Sequence, residues 1–290
     1  MRNMLSPGVR YMLLASFVFS IMNVCVKHIS HIPAVEIVLF RAGISLAMSY
    51  WSLKRQAIPI WGTNTKVLLL RGTFGTLALV LTIWTYHNMP LATAVMLHYL
   101  FPVFTAILVS VFLGEKLYKP QWFFFALCLA GIFMIKGFDT RVTVTGMGVA
   151  ILGAFFTACA YTCVRKLAGT DHPLVIIFYF PFIAFPITGI LSYFQWVQPL
   201  GWDWLFLLLI GVLTQIAQVY MTKAYQAEKA SKVASVNYVG IIYALGFGYL
   251  FFNELFNWKV YIGMGLLLVG VLLNVSFKKP KEKVQKEVVR

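Results

Sequence analysis

The stretch from Leu91 to Glu115, LATAVMLHYLFPVFTAILVSVFLGE, returns 139 residues later as ASKVASVNYVGIIYALGFGYLFFNE, Ala230 to Glu254. His98 aligns with Asn237, Tyr99 with Tyr238, Phe112 with Phe251 and Glu115 with Glu254. Each copy is an apolar run of the length that spans a bilayer as a helix, about 20 residues. Each carries polar residues where hydrocarbon would be expected. A chain built on such a pair has few folds open to it.

Other runs of the same kind fill the chain. Ten spans are expected, approximately Gly8–Val26, Ala34–Leu53, Val67–Tyr86, Leu91–Leu113, Gln121–Ile135, Gly146–Val164, Pro173–Phe194, Trp204–Tyr225, Val233–Phe252 and Trp258–Phe277. The fifth is the shortest, with room to extend to Lys119 and Gly137. With 60% hydrophobic and 11% charged residues, the sequence lies well outside the soluble norm of about 25% charged. The fold class expected is an all-α integral membrane protein. Its ten transmembrane helices form two inverted five-helix repeats around a central cavity.

The 139-residue shift carries the repeat further. Lys27 aligns with Lys166, Gly72 with Gly211, Tyr86 with Tyr225 and Gly131 with Gly270. The second span needs a one-residue adjustment to bring Pro33 onto Pro173. Residues 1–137 form the first repeat, 138–277 the second, and 278–290 a basic tail. Five spans per repeat is an odd number, so the second copy must be inverted in the membrane, a transporter architecture with its site near the midplane.

The net charge of +15 points to topology and not to nucleic acid, because basic residues gather at span ends and in the tail. Arg2, Arg10, Lys54, Arg55, Lys66, Lys116, Lys119, Arg165, Lys166, Lys229, Lys232 and the tail fall on one side, against Lys27, Lys136, Arg141 and Lys259 on the other. By the positive-inside rule both termini are cytoplasmic. The N-terminal run has no small-residue cleavage site and reads as an uncleaved first helix. The four cysteines lie in apolar runs without a His or carboxylate cluster. No cofactor or metal is expected.

RGTFGTLALVLTIWTYHNMPLATAVMLHYLFPVFTAILVSVFLGEKL, from Arg71, resembles the first-half motif of the drug/metabolite transporter superfamily, EamA family. QVYMTKAYQAEKASKVASVNYVGIIYALGFGYLFFNE is similar to the second-half motif, and FRAG at Phe40–Gly43 matches the arginine of the second span. The second copy departs in having Ile241 where the first has Pro102. The resemblance implies ten helices around a central cavity and export or exchange of small metabolites, of a class it leaves open.

Polar residues inside the spans are the candidate substrate contacts. Arg41 lies about 11 Å into the second span, and an intramembrane charge is a functional candidate by default; an alternative is a tie to Glu36 or to backbone carbonyls. Arg41, Ser45, Met48 and Ser52 make one stripe expected to face inward. His98 and Tyr99 precede Pro102, a structural hinge because its missing N–H frees the His98 carbonyl. Gln215, Gln218, Thr222 and Tyr225 share a face of the eighth span; Thr76, Ile83 and Tyr86 match three of these positions across the repeat. Ser16, Ser20, Asn23 and Lys27 line the first span. Lys223 is placed either to snorkel or to meet an anionic cargo. Asn237 and Tyr238 complete the second copy, and Trp84, Tyr86, Tyr161, Tyr225, Tyr238 and Tyr243 are candidate aromatic walls. Glu115 and Glu254 read as structural, capping helices or pairing with loop cations. The substrate-binding set is thus Asn23, Arg41, Thr76, Trp84, His98, Tyr99, Tyr161, Gln215, Gln218, Lys223, Asn237 and Tyr238.

The function these residues point to is secondary transport of a small polar metabolite, of the amino-acid or organic anion or zwitterion class, across the bacterial cytoplasmic membrane. The mechanism expected is alternating access, for export or exchange. An enzyme is not expected, since His98 and Arg41 have no carboxylate near the midplane. A scaffold, with the polar residues as interhelical glue, is the alternative class. Membrane lipid and a small-molecule substrate are the partners; a homodimer is left open.

Overall fold

A computed structural model describes residues 6–113, 118–167, 170–227 and 236–276. Glu115, Lys116, Lys229, Lys232 and the tail lie outside the described residues. Every regular element among those described is a helix: α1 (Pro7–His28), α2 (Ala34–Arg55), α3 (Thr65–Asn88), α4 (Leu91–His98), α5 (Phe101–Leu113), α6 (Lys119–Phe138), α7 (Val144–Leu167), α8 (Pro173–Phe194), α9 (Asp203–Ala227), α10 (Val239–Phe252) and α11 (Trp258–Ser276). Among the described residues, eight helical segments, counting α4 with α5 as one, are long and apolar enough to cross a membrane, and two shorter apolar helices complete the series. The protein is an integral membrane protein. The fifth span takes its longer option, starting at Lys119.

Tight connections follow from residues that cannot continue a helix. Pro7, Pro120 and Pro173 sit in the first turns of α1, α6 and α8, where their missing N–H costs nothing. At the end of α10, Asn253 adopts the left-handed conformation (φ 51°) and the Glu254 N–H donates to the Gly248 carbonyl at 2.9 Å. With the Asn253 N–H donating to the Tyr249 carbonyl at 3.2 Å, this is a left-handed C-cap, and it turns the Glu254 side chain back into the protein.

The outward surface is apolar: Phe112, Phe133, Ile190, Leu250 and Phe251 are among its exposed side chains. Trp122, Trp202, Trp204 and Trp258 stand exposed near helix ends, as an interfacial belt requires.

Packing repeats at the same offset as the sequence. Helix α1 packs along α9 and α3 along α7, while α2 packs on α8 and α6 on α11. A Cβ on Gly72 would lie 2.7 Å from Ile183, and one on Gly211 would lie 2.3 Å from Ile44. These two contacts interchange under a 139-residue shift. The second span therefore keeps the common register in the structure, α2 and α8 starting and ending 139 apart. The one-residue adjustment belongs to the loop proline and not to the helix. The Cys128 thiol meets the Leu267 carbonyl, also 139 residues on. Gly131 and Gly270 each face backbone atoms across the α6–α11 contact at 2.6–2.7 Å from an added Cβ, a separation only glycine permits.

Candidate functional site

A cavity of about 230 Å³ opens between the helices. Its wall draws on both halves of the chain: Ser16, Ser20 and Asn23 from α1, Arg41 from α2, Arg71, Thr82 and Tyr86 from α3, Tyr161 from α7, Phe180 from α8 and Gln218 from α9. The fourth span contributes His98, Tyr99 and Phe101, and its later copy contributes Asn237 and Gly240. Among the described residues, no carboxylate lines the cavity.

Two interrupted helices meet at this wall. Tyr99 ends α4 with φ −66° and ψ 4°, and Leu100 bonds back to Leu97 in a tighter turn before α5 begins. Tyr238 has almost the same torsions, φ −64° and ψ −12°, immediately before α10. Pro102 is thus not what sets the interruption, since Ile241 occupies its place in the second copy. The proline sits at the second position of α5, where no N–H is required. The two tyrosine rings pack at 5.0 Å, and the Tyr99 hydroxyl donates to the Asn237 carbonyl at 3.0 Å. Ser16 donates to Asn237 Oδ1 at 3.1 Å. Gly240 is small by necessity: an added Cβ would come within 2.6 Å of the Tyr99 hydroxyl.

His98 faces the cavity with Nδ1 3.3 Å from the Thr82 hydroxyl. Arg41 is 8% exposed, and its Nε finds no hydrogen-bond acceptor. The tie to Glu36 is not made, because the Glu36 carboxylate instead accepts from the Val197 N–H at 3.1 Å. Buried polar atoms are normally satisfied, so Arg41 is an exception that asks for a reason. Arg71 is a second one: its Nε is also buried without an acceptor, and its guanidinium lies 5.1 Å from the centre of the Phe180 ring. Tyr161 stacks on Phe101 at 5.0 Å.

Of the residues singled out from sequence, Asn23, Arg41, His98, Tyr99, Tyr161, Gln218 and Asn237 come together on the cavity wall. Five stand outside it. Thr76 is buried and donates to the Gly72 carbonyl of its own helix. Gln215 is buried one turn away from Gln218, and Tyr238 packs behind Tyr99. Trp84 is half-buried off the wall, and Lys223 is exposed. Met48 also turns outward, at 37% exposure, so only Arg41 and Ser45 of that stripe are buried. The side chains of Thr222 and Tyr225 lie outside the described ones. Arg71 was missed as a site residue: near a helix start it reads as a helix-opening cation, and only the tertiary fold turns it inward.

One turn beyond Asn23, Lys27 leaves the cavity wall and enters a buried ion pair. Its ammonium pairs with the Glu254 carboxylate and donates to the Met89 carbonyl at 2.9 Å. Glu254, 6% exposed, also accepts from the Leu91 and Ala92 N–H groups at 2.7 and 3.4 Å. A carboxylate from the second half thus caps the N-terminus of α4, where the helix dipole favours negative charge.

The sequence model described as the EamA-like transporter family matches residues 6–137 and 144–276. The chain belongs to the EamA-like transporter family. Among its curated relatives is the pseudopaline exporter CntI of Pseudomonas aeruginosa, 32% identical over 96% of this chain and 98% of that one. Human solute carrier family 35 member G1 is 30% identical over 94% of this chain and 79% of its own length. The riboflavin transporter of Vibrio cholerae is 23% identical over 97% of both chains. A solved crystal structure matches the fold with a TM-score of 0.64 at 17% identity, covering 93% of this chain and 96% of the other. Membership of this EamA-like family makes the chain a transmembrane transporter.

Proposed function

We propose that this EamA-like protein is a secondary transporter that moves a small polar metabolite of the amino-acid or organic anion or zwitterion class across the bacterial cytoplasmic membrane by alternating access, for export or exchange. The observation that carries the reading is the composition of the cavity wall, with two guanidiniums and, among the described residues, no carboxylate facing a space built from both halves. An uncompensated buried charge is costly, and a negative group on the cargo would offset it. The name of CntI supports the outward direction.

The repeats 1–137 and 138–277 are read as inverted five-helix units, ten spans in all, with the tail 278–290 and both termini in the cytoplasm. Support comes from the reciprocal contacts Gly72–Ile183 and Gly211–Ile44, and from the matched breaks at Tyr99 and Tyr238. The Asn23, Arg41, His98, Tyr99, Tyr161, Gln218 and Asn237 set supplies the substrate contacts, now joined by Arg71. In alternating access the two halves rock about such a site.

Purified protein in proteoliposomes, loaded with and challenged by a broad metabolite panel, tests the reading. Saturable movement of at least one anionic or zwitterionic solute is expected. Failure to move any solute, by protein that still melts cooperatively, would sink it.

A further inference from the structure

We infer that the cargo carries two separate acid groups, one for each of Arg41 and Arg71, so that the site selects elongated diacids over monoacids. The inference rests on the transporter reading and narrows its substrate class.

The two guanidiniums share one cavity but not one neighbourhood. A Cβ on Gly75 would lie 2.7 Å from an Arg71 Nη, so that guanidinium sits at the level of Gly75 on α3. Its electrostatic neighbours are Tyr161 and Cys163. The neighbours of Arg41 are Tyr86 and His98, and His98 contacts Thr82. At the helical rise of about 1.5 Å per residue, Gly75 and Thr82 differ in level by on the order of 10 Å. An ion pair needs contact within about 4 Å, so cations set at two such levels call for an acid group each.

Each cation is also built to receive a partner. Arg41 is more than nine-tenths buried and lines the cavity with its Nε unpartnered, and the Arg71 Nε is likewise buried and unpartnered. Phe180 holds the plane of Arg71 from one side, leaving its edge for a fork-like contact with a carboxylate. Acid groups separated by a chain of roughly five to eight carbons would reach both, given that rise and that contact distance.

The test is a melting and competition series on the full-length protein in detergent and in vesicles, with succinate, glutarate, adipate and suberate as probes. Hexanoate, hexanediamine and a mixed panel of neutral and cationic metabolites serve as controls. Binding should peak at an intermediate diacid and exceed that of hexanoate by about tenfold or more, one charge-assisted contact. In Arg71→Gln the ratio of diacid to monoacid affinity should fall towards one while hexanoate binding persists, and Arg71→Lys should restore part of it. Equal binding of monoacid and diacid, or an unchanged ratio in a folded Arg71→Gln protein, would overturn the inference. Movement of neutral or cationic solutes without competition from any diacid would overturn it too, and would leave the transporter reading standing. If no solute of any class binds or moves, both fall.

Discussion

Replacing Glu254 by Gln removes one charge from a buried pair and leaves Lys27 facing low dielectric without its counter-ion. Breaking a buried pair on one side costs about 3–5 kcal/mol. Thermal unfolding in detergent should show a clear loss for Glu254→Gln, and a smaller loss for the double replacement Lys27→Met with Glu254→Gln. If the two changes simply add, the pair is not coupled. Gly240→Ala tests a second contact. The added methyl must displace the Tyr99 hydroxyl from the Asn237 carbonyl, costing about 1 kcal/mol for the lost bond. In a Tyr99→Phe background the Gly240→Ala change should lose most of its effect, measured by melting temperature and by substrate affinity. Which residues of α1 and of the fourth span reach the cavity wall was legible from their polarity inside apolar runs. The Glu254 cap was not, because Glu254 and Leu91 are 163 residues apart and nothing local in either segment names the other. Arg71 escaped for the related reason that its depth depends on Phe180, from the other half.

At the scale of the element, the fourth span shows where sequence reasoning reaches and where it stops. Pro102 marks an irregular helix but misplaces its cause. The turn lies at Tyr99 and Leu100, and Tyr238 repeats it without a proline. Pro102→Ala should therefore leave the interruption in place. Spin-label distances between α4 and α5 in that variant are expected to match the wild type, and a straightened helix would show the proline to be required. The α6–α11 crossing gives a sharper contrast. Gly131→Leu places a side chain against the Gly263 carbonyl and the Leu267 backbone, and neither can yield. The helices must separate, with a stability loss of at least about 1–3 kcal/mol. Gly265→Ala meets nothing within 4 Å and should be neutral or slightly stabilising, since alanine is the better helix former by about 1 kcal/mol. Comparable losses for both would refute the packing argument. Span existence was legible because bilayer length and hydropathy are properties of single runs. Pairing between spans was only implied, through the repeat.

For the whole molecule, the repeat offset determines how the parts pair. The α1–α9 and α3–α7 pairings interchange under the 139-residue shift, as do the Gly72–Ile183 and Gly211–Ile44 contacts. The orientation proposed from the lysine and arginine distribution is tested by reporter fusions at residue 290 and in the loop after α1. A reporter active only in the cytoplasm should work at the first position and fail at the second; the reverse would invert the topology. The Lys27–Glu254 pair has a consequence for motion. It ties α1, the start of α4 and the turn after α10 together through a neutralised couple. Any movement that separates these segments must break a buried ion pair, a cost of several kcal/mol, so they travel as one piece.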